Sequence, residues 1–240
     1  MNPRSNTNTP MGVAPTQTVA VAMAAMDQLQ GRQHGMPGLG VLSGAPGLGK
    51  TSALTRLAHP ADINSVYVSC RAFETTKSLA QMIVRELGVP VKDHWSVNTL
   101  FETACAQFAE QTRPLVVDEA DRIAEKNTIE LLRDLHDIGG VPILLVGEEH
   151  IKRKLANRHE RFHDRVLVWA KAMPVDESDL AKLIAHYTPG LQIAEDARKL
   201  LLTKSAGVAR RVVTALHALS EQTRTRGIDV ITIDDLVGVL

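Results

Sequence analysis

The stretch that decides the fold is "GAPGLGKT", which runs from Gly44 to Thr51. It follows the apolar run "LGVL" at 39–42 and precedes the helix-like segment "SALTRLAH". These residues fit the pattern G-x-x-x-x-G-K-[ST] at a junction between a strand and a helix. Glycines let the backbone wrap around phosphate groups and turn its N–H groups toward them, and the helix adds its positive end. The structural alternative is a glycine-rich turn that only begins a helix.

The loop therefore predicts a site for ATP and Mg²⁺. We expect Lys50 to bring its charge to the β- and γ-phosphates, and the Thr51 hydroxyl to bind the metal ion. The predicted nucleotide-binding residues of the loop are Gly44, Ala45, Pro46, Gly47, Leu48, Gly49, Lys50, Thr51 and Ser52.

A second motif, "PLVVDEAD", begins at Pro114. Its apolar residues predict a strand with Asp118 at the carboxyl end, where parallel sheets bind their ligands. Asp118 is expected to hold Mg²⁺, and the carboxylate of Glu119 to orient and deprotonate a water in line with the γ-phosphate. An acidic turn in a solvated loop is the alternative. Because a phosphate loop precedes this motif, we predict hydrolysis with Glu119 and Lys50 as catalytic residues.

The wider pattern alternates short apolar strands with helices. Continuously apolar strands that alternate with helices indicate a parallel sheet buried on both faces. The predicted strands lie at 39–44, 65–70, 114–118, 141–147 and 165–170. After residue 174 the pattern predicts helices only. The predicted fold class is thus α/β, a five-stranded parallel P-loop sheet with helices on both faces, followed by a small all-helical lid.

The sequence pattern predicts that the chain has three segments. Residues 1–15 are rich in Asn, Thr, Ser and Pro and are predicted to be a flexible arm. Residues 16–174 are predicted to form an N-terminal helix and the α/β domain, and residues 175–240 the lid domain.

Composition limits the classes of partner. The 27 basic and 27 acidic residues balance, so no global field attracts nucleic acid and any such partner must meet a local patch. The two cysteines have no metal-ligand spacing and suit a reducing cytoplasm. No apolar run reaches the roughly 18 residues of a membrane span, so we expect no membrane partner.

The phosphate loop, the intervening strand at 65–70, the Asp118–Glu119 strand, one more strand and a helical lid resemble the AAA+ ATPases of the ASCE type. Within that class the chain is similar to the B protein of Mu-like transposable phages and to the ATP-dependent target selectors of Tn7-type elements. The narrower resemblance depends on overall size and on "DEADRI", "LLVGEEH" and "RHERFHDRV".

The resemblance implies two residues that sense the nucleotide. A polar residue at the tip of the strand after Asp118–Glu119 should sense the γ-phosphate, and here Glu148 stands where many members have Asn. Glu148 is equally well read as a carboxylate that favours a helix N-terminus. In "KSAGVARRVV", Gly207 and Arg210 match the G-x-x-R of AAA+ lids, with Arg211 as the alternative to Arg210.

The resemblance also implies an arginine finger, which acts on the γ-phosphate bound by a neighbouring subunit. The stretch "NRHERFHDRV" offers Arg158, Arg161 and Arg165, of which Arg161 or Arg165 is the expected finger. A solvated basic helix face is the alternative. A finger requires self-association, and the family implies a helical oligomer, or filament, on DNA.

In that family, double-stranded DNA meets loops near the second strand and the following helix. The corresponding stretches here are "CRAFETTKS" and "VKDHWS", which make Arg71, Lys77, Lys92 and His94 the DNA-binding candidates. The alternative for each of the four is a surface residue that binds nothing. Few charges and 3% aromatic residues argue against base reading, so we expect contacts to the DNA backbone.

The resemblance thus implies an ATP-dependent, largely sequence-non-specific DNA-binding regulator of transposition. It would capture target DNA, recruit or activate a transposase, and disassemble on hydrolysis, in the cytoplasm of a bacterial host and encoded by a bacteriophage or transposon. Two other functions stay open: an AAA+ ATPase of a secretion or signalling assembly, and a nucleotide-gated interaction module with negligible turnover.

Overall fold

The computed structural model describes residues 12–33, 35–227 and 230–236, and the side chains of Glu160 and Arg226 are excluded. Residues 1–11 of the predicted arm and the end of the predicted last helix therefore lie outside the described residues. The described part of the chain divides into two compact units, which comprise 18–46 with 50–172 and 12–17 with 47–49 and 173–236. The domain limits predicted from the sequence stay predictions.

The first unit is built on a five-stranded sheet in the order β2-β3-β4-β1-β5, with every pairing parallel. The strands are β1 (Leu39–Ser43), β2 (Val66–Ser69), β3 (Leu115–Asp118), β4 (Ile143–Gly147) and β5 (Val166–Lys171). The helices of this part of the chain are α1 (Gln17–Gln30), α2 (Lys50–Ala58), α3 (Thr76–Glu86), α4 (Val97–Gln111), α5 (Ile129–Asp137), α6 (Ile151–Arg158) and α7 (Glu160–His163), with a 3-10 helix over Ala120–Arg122. The predicted fold class is confirmed.

Side-chain alternation along the strands buries both faces of the sheet. On one face, residues such as Val41, Val117 and Leu145 share a core with side chains of α3 to α6. On the other face α1 approaches β1 so closely that a Cβ at position 40 would lie 2.8 Å from Leu29 Cδ1. Because both faces are buried, the strands are almost wholly apolar, and short apolar runs can be recognised in the sequence.

Helix starts in this unit follow local capping chemistry. Thr75 accepts a hydrogen bond from the N–H of Ser78, whose own hydroxyl accepts from the N–H of Thr75, so the pair closes a capping box at the start of α3. Ser96 caps α4 in the same way through the N–H of Thr99. These caps fix where the loops that precede α3 and α4 end.

The second unit is mainly helical. Its elements from residue 177 onward are α8 (Glu177–Tyr187), β6 (Gln192–Ile193), α9 (Glu195–Ser205), α10 (Ala209–Arg226), β7 (Val230–Ile231) and α11 (Ile233–Leu236). The prediction of helices alone missed the parallel pair β6 and β7, because two residues per strand leave no periodic pattern. Ala14 packs into the core of this unit, and the Gln17 N–H donates to both oxygens of buried Asp179 at 3.0 Å.

One histidine differs from the sequence-based reading. The sequence predicts that His136 and His186 lie on helix surfaces, because no partner at i±4 suggests a metal site, but His136 is only 9% exposed. Its Nε2 accepts the N–H of Gly38 at 3.0 Å, and its Nδ1 lies 3.1 Å from the carbonyl oxygen of Val141. No sequence pattern indicates this contact, because both partners are backbone groups that lie just before β1 and β4.

Among the described residues, no helix combines the length and the apolar character that crossing a membrane requires.

Candidate active site

The phosphate loop connects the end of β1 to the start of α2. Gly47 and Gly49 have φ values of 82° and 84°, a region that residues with a Cβ seldom occupy. A Cβ at position 44 would lie 2.7 Å from Cβ of Ala172, and one at position 47 would lie 2.8 Å from Val208 Cγ1. The space around the loop therefore favours glycine at positions 44 and 47, and the backbone conformation favours it at positions 47 and 49.

The loop has the donors that a phosphate group needs. Within the described chain, the backbone N–H groups of residues 45, 47 and 49 donate to no other group. Backbone donors in folded proteins are otherwise nearly always paired, and unpaired donors before a helix N-terminus form an anion site. The loop therefore fits the triphosphate of ATP.

Lys50, the first residue of α2, is held at this loop by backbone carbonyls. Its Nζ donates to the Gly44 carbonyl at 2.6 Å and to the Ala45 carbonyl at 2.9 Å. Burial lowers the pKa of the Lys50 amine, and the carboxylates of Glu148, Asp118, Glu119 and Asp121 oppose that shift in this order. The Lys50 amine thus lies near the carboxylates that end or follow β3 and β4. Its present hydrogen-bond acceptors are two neutral carbonyls, which a phosphate group could replace.

Asp118 ends β3 and is 8% exposed. Its Oδ1 accepts the N–H of Glu119 at 2.9 Å, and its Oδ2 accepts the hydroxyl of Tyr67 at 3.1 Å. Burial raises the pKa of Tyr67 to about 12, and the charge of Asp118 adds to the rise, so the phenol stays a donor at neutral pH. The carboxylate is fixed in direction and still has lone pairs for a water or a metal ion.

Glu119 occupies a left-handed backbone conformation, with φ of 54°. Such a conformation is uncommon for a residue other than glycine, asparagine or aspartate, and strained residues of this kind cluster at functional sites. Its carboxylate pairs with Arg122 at 3.1 Å, and Arg122 also donates to the Cys70 carbonyl at 3.2 Å. Both side chains of the pair are about two-fifths exposed, so the carboxylate is within reach of a bound water.

Asp121 links the ends of β3 and β4. Its Oδ1 accepts the N–H of Glu148 at 3.2 Å, which places Glu148 directly after β4 and beside the other carboxylates. The Glu148 side chain is 46% exposed and lies 3.5 Å from Nδ1 of His150. Glu148 is therefore at the position predicted for a sensor, and its role stays a prediction.

The site also fits Mg²⁺. Within residues 12–33, 35–227 and 230–236, no three His, Cys, Asp or Glu side chains form a group that could hold a metal ion by themselves. Magnesium sites of nucleotide-binding proteins use one or two protein oxygens, water and substrate phosphates. Exposed Thr51 at the start of α2 and Asp118 at the end of β3 supply that donor set.

The two candidate finger arginines differ in their contacts. Arg165 pairs with Asp137 at 2.8 Å and donates to the Arg161 carbonyl at 3.0 Å. Arg161 is exposed on α7, and its guanidinium makes no ion pair or hydrogen bond with another described side chain. Arg158 donates to the Glu125 carbonyl at 2.6 Å. Arg161 is thus the more available of the two candidates for a neighbouring subunit.

Arg210, the predicted lid sensor, lies on the first turn of α10 with an exposed side chain. Its backbone N–H donates to the Gly47 carbonyl at 3.0 Å, within the unit that contains both residues. Arg211 is also exposed, so exposure alone does not separate the two.

The four DNA-binding candidates are all exposed, and three of them lie together. The Lys77 amine donates to the Asp93 carbonyl at 3.1 Å, which brings Lys77 next to Lys92 and His94. Arg71 lies in the turn after β2, where its N–H donates to the Glu74 carboxylate at 3.1 Å. The neighbouring Phe73 is 75% exposed.

Sequence reasoning missed Tyr67, Arg122 and Asp121. Tyr67 carries no motif, and its contact with Asp118 follows only from the pairing of β2 with β3. Asp121 belongs to the quoted "DEAD" stretch, and its spacing from Asp118 was the available signal.

Comparison with known proteins identifies the family and the fold. The family model described as "AAA domain" matches residues 33–155, just over half of the chain. No curated protein matches the sequence.

Three solved structures illustrate the similarity of fold. The ADP form of the Aeropyrum pernix ORC2 protein has 17% identity and a TM-score of 0.69, over 98% of this chain and 70% of that protein. Cdc6p from Pyrobaculum aerophilum has 17% identity and a TM-score of 0.67, over 98% and 69%. The Aeropyrum pernix ORC1 protein in complex with DNA has 20% identity and a TM-score of 0.65, over 92% and 63%.

Proposed function

This chain belongs to the AAA domain family, and from that premise we propose that it is a Mg²⁺-dependent ATPase that acts on double-stranded DNA. The observation that carries the proposal is that Lys50, Asp118 and Glu119 lie at one edge of the sheet, at the start of α2 and the end of β3. The loop N–H groups and Lys50 would bind the phosphates. Thr51 and Asp118 would hold Mg²⁺, which when bound neutralises charge on the β- and γ-phosphates.

Glu119 is proposed as the residue that orients and deprotonates the attacking water. The carboxylate is exposed and one residue beyond Asp118, so it is close to the metal without needing to ligate it. Its ion pair with Arg122 would have to open or shift for the carboxylate to accept a proton. An exposed pair contributes only about 0–1 kcal/mol, so this opening needs little free energy.

We infer the DNA partner from the exposed cluster of Lys77, Lys92 and His94, with Arg71 on the preceding turn. Lysine and arginine side chains on loops suit phosphate contacts, which give affinity without reading sequence. The structure of ORC1 in complex with DNA is consistent with a DNA-associated role for this fold. The finer proposal is a cytoplasmic regulator of transposition, phage- or transposon-encoded, that recruits or activates a transposase.

Self-association is part of the proposal, because Arg161 or Arg165 would act on the nucleotide of a neighbouring subunit. A bound arginine finger raises hydrolysis by about 10³–10⁵-fold in other nucleotide hydrolases. Arg161→Ala should therefore abolish the rise in specific ATPase activity with protein concentration. ATP-bound protein that stays monomeric at every concentration and still hydrolyses ATP would contradict a finger in trans.

The test of DNA action compares ATPase rates with and without a non-specific duplex, together with negative-stain images. The proposal expects stimulation and filaments that form with ATP and DNA. Replacing Arg71, Lys77 and Lys92 together by Ala should weaken DNA binding equally for all sequences and reduce its salt dependence by about one unit of slope per lost contact. Arg85→Ala, an exposed change on the same helix as Lys77, is the matched control. Binding that survives high salt and selects one sequence would contradict this proposal.

A second candidate is a nucleotide-gated interaction module with negligible turnover. The observation that favours it is the Glu119–Arg122 ion pair, which occupies the proposed base. Turnover that stays near zero with DNA present, while ATP still binds, would select this candidate. A secretion or signalling ATPase would instead turn over ATP without any response to DNA.

A further inference from the structure

Tyr67 lies in the middle of β2, an edge strand of the sheet. Its backbone pairs with Val116 on β3, and the pairing of Ser69 with Asp118 places the phenol beside the end of β3. The Tyr67 hydroxyl donates to Asp118 Oδ2 at 3.1 Å. The contact joins residues that are 51 positions apart in the chain.

The two oxygens of Asp118 are held by different partners. Oδ1 accepts the N–H of Glu119, a neighbour in sequence, while Oδ2 accepts the phenol of Tyr67. The second torsion of an aspartate side chain is broad, so a single hydrogen bond leaves the carboxylate free to rotate. With both bonds in place, the direction of the remaining lone pairs is set.

Tyr67 also lines a cavity with the other predicted metal-binding residue. Thr51 and Tyr67 line the same cavity of about 350 Å³ between α2 and β2, together with Leu54, Thr55, Ala58 and His59. The phenol thus has Asp118 at its hydroxyl and shares a cavity wall with Thr51. Within the described chain, no other side chain lies at hydrogen-bond distance from the Asp118 carboxylate.

We propose that Tyr67 is a positioning residue for Mg²⁺, because its hydroxyl holds Asp118 Oδ2 and so directs the carboxylate toward the metal ion and its waters. The inference rests on the proposed ATPase function of the same site. Tyr67 does not touch the nucleotide in this account and acts only through Asp118. Loss of the Tyr67 hydroxyl should therefore weaken the effect of Mg²⁺ on nucleotide binding and leave the affinity measured without Mg²⁺ nearly unchanged.

The test uses the full chain and a fluorescent, mant-labelled non-hydrolysable ATP analogue. Binding is titrated in EDTA and again in Mg²⁺, and the ratio of the two dissociation constants reports the tightening that magnesium gives. Tyr67→Phe should leave the EDTA value within about twofold and reduce the Mg²⁺-linked tightening by about 2–12-fold, the range that one hydrogen bond supports. The magnesium concentration that half-saturates binding should rise in parallel.

Two controls separate positioning from a structural effect. Tyr187→Phe alters the only other tyrosine, which belongs to the other unit, and should leave both constants unchanged. In an Asp118→Asn background, Tyr67→Phe should cause no further loss of Mg²⁺-linked tightening, because the carboxylate that it positions is gone.

Three outcomes would overturn the inference. Full Mg²⁺-linked tightening in Tyr67→Phe would show that the phenol is not needed. Equal loss in EDTA and in Mg²⁺, together with a lower melting temperature, would assign Tyr67 a purely structural role. A wild-type protein whose nucleotide affinity ignores Mg²⁺ would remove the proposed function as well, and that result is distinguishable because it appears before any substitution.

Discussion

The two ends of the central sheet use polar groups in opposite ways. At the amino end, His136 joins the N–H of Gly38 to the carbonyl of Val141, and the Arg32 guanidinium donates to the carbonyls of Leu29 and Gly140 at 2.7 Å each. Each of these groups satisfies another group of the same chain. At the carboxyl end, the N–H groups of loop residues 45, 47 and 49 have no acceptor within the described chain, and the Lys50 amine donates to the neutral carbonyls of Gly44 and Ala45.

The difference distinguishes polar groups that hold the fold from those that are available to a ligand. A buried polar group paired within the chain costs free energy when it is removed, because its partner is left unsatisfied. A side chain that faces a ligand site at a helix N-terminus leaves no buried partner unsatisfied when it is removed. Its loss should therefore change stability little and ligand binding greatly. We therefore expect substitutions at the amino end of the sheet to lower the free energy of unfolding. Substitutions at the carboxyl end should instead weaken ATP binding or slow its hydrolysis.

Of the two substitutions that compare the sheet ends, Lys50→Ala is expected to have the larger effect. Removing a charge that is aimed at developing negative charge in a transition state lowers turnover by about 10²–10³-fold. The free energy of unfolding should change by no more than about 1 kcal/mol, because only hydrogen bonds to partly exposed carbonyls are lost. ATPase rates and urea unfolding curves measure the two quantities.

The matched control is Lys126→Ala, whose amine also donates to a carbonyl, that of Ala72 at 2.6 Å. Its basal ATPase rate should match that of wild type. A Lys50→Ala protein with a clearly lower free energy of unfolding and an unchanged turnover would contradict the claim that polar groups at the carboxyl end serve the ligand.

His136→Ala should produce the next largest effect, on stability. The change removes a buried ring and leaves the Gly38 N–H and the Val141 carbonyl without their partner, which costs about 2–4 kcal/mol. His186→Ala on α8, where the ring is half-buried, should cost less than about 1 kcal/mol. Urea unfolding of both variants checks the difference, and equal costs would show that the His136 bridge contributes little.

A smaller effect is expected from pH. Burial lowers the pKa of His136, the nearby Arg32 and Arg165 charges act in the same direction, and the Val141 carbonyl and Asp137 oppose the shift. The unfolded chain therefore binds a proton at His136 near pH 6.5, whereas the folded chain binds it only at lower pH. The contribution of His136 to the free energy of unfolding is therefore present above pH 6.5 and decreases as the pH falls below it.

The measurement is the urea midpoint of wild type and His136→Phe between about pH 5 and 8. The wild-type midpoint should fall more steeply toward acid than that of the variant. Parallel pH profiles would show that His136 is not held neutral by the fold.

Much of the carboxyl end could be predicted from the sequence, because its parts are contiguous. The eight residues from Gly44 to Thr51 contain the loop, the lysine and the helix start, and Asp118 follows directly on an apolar strand. Parallel strands place their carboxyl ends at one edge, so the meeting of the two motifs follows from the fold class.

The remaining features depend on contacts between distant residues. Tyr67 reaches Asp118 only because β2 lies beside β3, and strand order is not written in any local pattern. His136 reads as a surface residue on an amphipathic helix until Gly38 and Val141 are placed against it. The ion pair of Arg165 with Asp137 likewise joins residues 28 positions apart.

The most direct test of the central claim is ATP binding and turnover in Glu119→Gln, with Glu125→Gln, an exposed glutamate in the following turn, as the control. The account predicts that Glu119→Gln binds ATP as wild type does and loses turnover by about 10²–10⁴-fold, the range for a general base, while the control is unchanged. Undiminished turnover in Glu119→Gln would contradict it.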